Sequence, residues 1–102
     1  MVEDESMLPT FRPGDRLLVD PRAYRDRAPR VGEVVVLVDP EDAARWLVKR
    51  VAGVDGPAGT LDVRGDAPEN SRDSRRFGPV PTRSLVGRVY RCYFPVDRRR
   101  DL

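Results

Sequence analysis

Lys49 is the only lysine in this chain of 102 residues; the other eighteen basic side chains are all arginine, and there is no histidine. Arginine is effectively never deprotonated in a protein, whereas lysine can be. A lone lysine in an arginine-rich chain is therefore a candidate for chemistry that needs a neutral amine. Without histidine there is no Ser-His-Asp triad, Cys-His dyad or histidine-based zinc site. The single cysteine, Cys92, can build neither an intrachain disulfide nor a thiolate metal site, and no glycine-rich phosphate loop is present. No cofactor or metal is expected, and an enzyme made from these residues must take its base from a carboxylate, a tyrosine or Lys49. Composition alone leaves the lysine open between this role and chance codon usage.

The setting of Lys49 favours the chemical role. Arg45 to Ala52 reads as a strand, and period-two arithmetic puts Leu47, Lys49 and Val51 on one face and Trp46, Val48 and Arg50 on the other. A lysine between two aliphatic side chains is partly desolvated, which disfavours its charged form. The structural alternative is a stem that snorkels to water. A neutral amine needs a hydroxyl to deprotonate, and the chain holds four serines, Ser6, Ser71, Ser74 and Ser84.

The elements that must position these groups are short. Ten prolines and eight glycines break up the chain. Arg16–Asp20, Glu33–Val38, Arg45–Ala52, Thr60–Arg64 and Leu85–Phe94 read as strands, and Glu33–Val38 is apolar enough to be buried on both faces. The expected fold is mainly β: a small single-domain antiparallel barrel or sandwich. Residues 1–96 form the domain and 97–102 a basic tail. Residues 65–81 form a long loop; such loops are functional or disordered, and Phe77 with the Gly78-Pro79-Val80-Pro81 exit suggests one that is tied down. Cys92 reads as a small core residue.

Three separated segments resemble the signal peptidase I family. Ser6-Met7-Leu8-Pro9-Thr10 with Arg12-Pro13-Gly14-Asp15 looks like its nucleophile box. Val48-Lys49-Arg50-Val51 looks like the box of the base. Gly65-Asp66 through Asn70-Ser71-Arg72-Asp73-Ser74-Arg75-Arg76-Phe77-Gly78 looks like its third box. The resemblance implies a serine endopeptidase with a Ser6/Lys49 dyad that removes leaders or pro-segments. In that reading Ser71 orients the lysine amine, Asp73 and Arg75 form a supporting ion pair, and the Ser6 amide is an oxyanion donor. Asp4, Met7 and Pro9 lie in the substrate-pocket and oxyanion region. The partner would be an extended peptide segment of a precursor protein, with small side chains near the cut.

Two positions depart from the family pattern. Asp4 stands where glycine or serine is usual; an ionised carboxylate cannot donate to an oxyanion, so Asp4 must point away, be protonated or slow the enzyme. Ala67 stands where asparagine is usual. Only fifteen residues separate Lys49 from Gly65, a short form similar to compact members such as the nickel superoxide dismutase maturation proteases. A catalytically silent binding module on the same fold is the alternative that Asp4 motivates. A relative of the self-cleaving LexA-type repressors is less consistent, because Ala52-Gly53 follows the lysine and no DNA-binding domain precedes Ser6.

The net charge of +2 is spread along the chain, with no stripe for nucleic acid. Arg98-Arg99-Arg100 reads as a frayed chain end, with contact to anionic lipid or nucleic acid the sharper reading. No stretch reaches the roughly 20 apolar residues of a membrane span, and Met1–Glu5 lacks a signal-peptide pattern. The chain as given is expected to be soluble. A cytoplasmic and a membrane-associated location are equally compatible with it, and an anchor upstream would not be visible.

Overall fold

The structure is a computed structural model describing residues 1–102. Its strands are β1 (Arg16–Asp20), β2 (Val34–Asp39), β3 (Asp42–Asp55), β4 (Thr60–Arg64), β5 (Val80–Pro81), β6 (Leu85–Phe94) and β7 (Arg100–Asp101). They form one antiparallel sheet ordered β1-β6-β2-β3-β4-β5, with β7 on β6. The mainly β, antiparallel architecture matches the expectation, but the sheet stays open rather than closing into a barrel. Its last strand is two residues long and flanked by proline, which has no N–H to continue a ladder. No helix is long and apolar enough to cross a membrane.

β2 is the spine. Its continuous apolar run lets alternate residues enter two separate cores, as a strand buried on both faces must. Val34 and Val36 join Val2, Met7, Phe11, Val89 and Cys92 on one side. Val35 and Leu37 join Leu47, Val51, Leu61, Val63 and Val80 on the other. The first core carries the Ser6 segment, through Met7 and Phe11. The second carries the strand of Lys49, through Leu47 and Val51.

β3 is longer than its apolar alternation suggests. Asp42 to Trp46 are exposed, yet the turn at Pro40-Glu41 returns them beside β2, where Val38 pairs with Trp46 and Asp39 with Asp42. The loop after β4 is ordered by its own hydrogen bonds. A 3-10 turn spans Pro68–Asn70, and a short helix, α1 (Ser74–Phe77), is capped by the Asp73 side chain, which accepts from the Arg75 amide.

The basic tail does not fray. β7 pairs through Arg100 with Cys92 and through Asp101 with Arg91. Arg98 donates to both Asp15 oxygens, with a closest approach of 2.9 Å, and the Arg100 guanidinium lies over the Phe11 ring. The run that suggested a solvated end thus neutralises a carboxylate that the turn after Phe11 buries. Asp15 is 2% and Arg98 16% exposed. Arg98→Ala would leave the buried Asp15 carboxylate with the Arg12 amide as its remaining hydrogen-bond donor and should lower the urea midpoint of unfolding.

Candidate active site

Lys49 sits mid-way along β3, opposite Val35 of β2, and is only 2% exposed. Leu47 and Val51 flank it inside the second core, so the desolvated face expected from periodicity is present. The Nζ does not snorkel to water. It donates to Ser71 Oγ at 3.1 Å. Burial pushes the Lys49 amine below its ordinary value. The Arg72 and Arg45 charges push the same way, and the Asp4 and Asp73 carboxylates oppose them.

Ser71 is held from two sides. Its hydroxyl donates to Asp73 Oδ2 at 2.6 Å and accepts from the Gly65 amide at 3.1 Å. Asp73, almost fully buried, also accepts from Gly65 N at 2.8 Å and from Arg75 Nε at 2.9 Å. Burial alone would raise the Asp73 carboxyl. The hydrogen bonds from Arg75, Ser71 and the Gly65 amide outweigh it and hold the group well below the carboxylate range. An ionised Asp73 fixes the Ser71 proton on itself, so the Ser71 oxygen faces the lysine as an acceptor.

Ser6 lies in the turn before Phe11 and is 2% exposed. Its carbonyl accepts from Ala67 N at 2.8 Å, so Ala67 serves the site through its backbone, and its side chain makes no capping hydrogen bond. Gly65 packs between the two serines: a Cβ there would collide with Ser71 Oγ and with the Ser6 carbonyl. Lys49, Ser71 and the Ser6 backbone thereby meet at one point. Ser6 Oγ and Lys49 Nζ are not hydrogen-bonded to each other, the amine being turned to Ser71.

Asp4 does not point away. Its Oδ1 accepts from the Ser6 amide at 3.0 Å, and Oδ2 lies 3.7 Å from Arg45 Nη2. Burial raises the Asp4 carboxyl, but the hydrogen bonds from Ser6 and the charges of Lys49 and Arg45 win and hold it ionised. Asp4, Ser6 and Met7 line a cleft of about 540 Å³ with Val36, Trp46 and Val48 among its walls. Pro9, expected in the same region, is exposed and borders a separate depression with Thr10 and Asp97 to Arg100.

Sequence reasoning assigned no role to Asp66, Arg50 or Thr10. Asp66 accepts from Thr10 Oγ1 at 2.6 Å and from Arg50 Nε and Nη2 at 2.9 Å each. One carboxylate therefore joins the three boxes. Their membership of those boxes was the only signal available. Arg72, also unassigned, pairs with the buried Asp39 and with Glu41, anchoring the Ser71 loop to the β2–β3 turn.

Residues 1–58 and 55–94 match the family described as signal peptidase, peptidase S26. The chain belongs to that family. It is 38% identical over 105 residues to the mitochondrial ATP-independent inner membrane protease subunit 1b of Arabidopsis thaliana, covering 82% of this chain and 62% of that protein. It is 33% identical to the mitochondrial inner membrane protease subunit 2 of Schizosaccharomyces pombe, covering 95% and 64%. It is 27% identical to the probable signal peptidase I-1 of Synechocystis, covering 95% and 71%. This peptidase S26 chain thus spans roughly two thirds of the length of the relatives it matches.

Proposed function

We propose that the chain is a serine endopeptidase in which Ser6 is the nucleophile and Lys49 the general base. The observation that carries this reading is the sole lysine, buried in the second core and held by Ser71 beside the Ser6 segment. In the reaction, neutral Lys49 takes the Ser6 proton as Oγ adds to the scissile carbonyl. The tetrahedral oxyanion needs a donor, which the Ser6 amide supplies. Collapse releases the amine, which takes the proton from Lys49, and leaves an ester on Ser6. Water, deprotonated by the same lysine, then hydrolyses that ester. Ser71, Asp73 and Arg75 position the amine.

The substrate in this reading is an extended leader or pro-segment with small side chains near the cut, laid along the cleft beside Met7. The names of the relatives, signal peptidase and inner membrane protease, favour precursors handled at a membrane. A catalytically silent binding module is the second reading, favoured by Asp4 on the Ser6 amide.

The test is cleavage of leader peptides against pH. Activity should rise from acid toward alkaline as Lys49 loses its proton, with the rising limb below the ordinary lysine value of 10.5 because burial lowers it. Ser6→Ala should abolish it. A flat profile from about pH 6 to 10, or cleavage that survives Ser6→Ala, sinks the reading.

A further inference from the structure

The Ser6 amide has one hydrogen, and the Asp4 carboxylate holds it at 3.0 Å. That hydrogen is also the donor the oxyanion of the proposed reaction would need. Two anions cannot share it: the second would meet both the lost hydrogen bond and the repulsion of the first. Nor does Asp4 suit the role of a neutral acid that donates to the oxyanion, because the hydrogen bonds from Ser6 and the Lys49 and Arg45 charges favour its ionised form.

We propose that Asp4 is a built-in competitor for the oxyanion position, which a substrate carbonyl must displace, and that Arg45 receives the displaced carboxylate. The inference rests on the Ser6/Lys49 reading. Three observations support it. Asp4 is at the cleft mouth with its side chain 46% exposed, so it can swing without unpacking either core. Arg45 is 48% exposed and 3.7 Å from the second carboxylate oxygen, a short rotation from a full ion pair. Ser6 itself is almost wholly covered, as expected of a resting site that is closed until a substrate enters. Long peptides, with many contacts along the cleft, would displace Asp4 more readily than short substrates.

The groups that act on Asp4 are Ser6, Lys49 and Arg45, with Glu3 and Glu5 on either side in sequence. Removing Asp4 also removes a charge that favours protonated Lys49, so the test must separate the two effects. The probe is a short activated ester, an N-acetyl-alanine nitrophenyl ester, whose hydrolysis is followed to the alkaline plateau where Lys49 is fully neutral. The full chain and its Asp4→Ala, Asp4→Ser, Arg45→Ala and Asp4→Ala/Arg45→Ala variants are compared, with Ser6→Ala as blank. Since a lost oxyanion donor typically costs about 10²–10³ in rate, Asp4→Ala and Asp4→Ser should raise the plateau rate by at least about tenfold. Arg45→Ala should lower it in the wild-type background and leave it unchanged once Asp4 is gone. A Ser6-dependent plateau that neither Asp4 variant raises overturns the inference alone. So does a gain confined to pH values below the plateau, because Asp4 would then act only through the charge on Lys49. Hydrolysis no faster than the Ser6→Ala blank in every variant overturns the catalytic reading and this inference with it.

Discussion

Lys49→Met should lower kcat/KM for a leader peptide by at least about 10⁴-fold, the scale on which loss of a dyad or triad member is felt, while leaving the protein as stable as before or more so. The two effects have one cause. The amine is buried between Leu47 and Val51, where burial disfavours its charged form. The unfolded chain therefore binds a proton at Lys49 more readily than the folded one does. By linkage, stability rises with pH from the depressed folded value up to the ordinary lysine value, and below that window folding carries the full cost of the misplaced charge. Methionine has similar length and no proton to lose. The stability of Lys49→Met should consequently lack that alkaline rise and exceed the wild type at neutral pH, as measured by urea denaturation at pH 7 and pH 10. Ser71 would lose one donor but keep its bonds to Asp73 and Gly65. A variant that loses stability along with activity would mark Lys49 as a structural residue.

Gly65→Ala should cost about 10²-fold or more in kcat, as misplacement of reacting groups by about 1 Å can, together with about 2–3 kcal/mol of stability from overpacking. The glycine is needed here for space. Its Cβ would collide with Ser71 Oγ, Ser71 Cβ and the Ser6 carbonyl, the groups that in the proposed reading position Ser6 against Lys49. Its amide also feeds Ser71 and Asp73, so any backbone shift that relieved the clash would loosen the Lys49 support. Activity measured well below the thermal midpoint separates the two losses. Normal kcat in a folded Gly65→Ala chain would show that Ser71 does not position the amine.

Much of the sheet is legible in local pattern. β1, β4 and β6 coincide with their apolar runs and turn residues, and β2 reads as doubly buried because it has no polar alternation. β3 is under-read at both ends, because Asp42–Ala44 becomes strand only through the turn back to β2 and Gly53–Asp55 only through pairing with β4. The open sheet edge, the docked tail and the solvent-facing Pro9 are not legible, because none is encoded in the period of its own segment.

The identity of the one side chain able to act as a neutral amine, and the face it occupies, follow from the sequence alone: a single lysine, no histidine, and aliphatic residues two positions to either side. The chemistry around that amine is set by the tertiary structure. Thr10 meets Asp66 across 56 positions and Arg98 meets Asp15 across 83, separations over which no local periodicity operates. Asp4 divides between the two: its bond to the Ser6 amide closes over two positions and is local, whereas the Arg45 and Lys49 charges that help keep it ionised reach it only through the folded sheet.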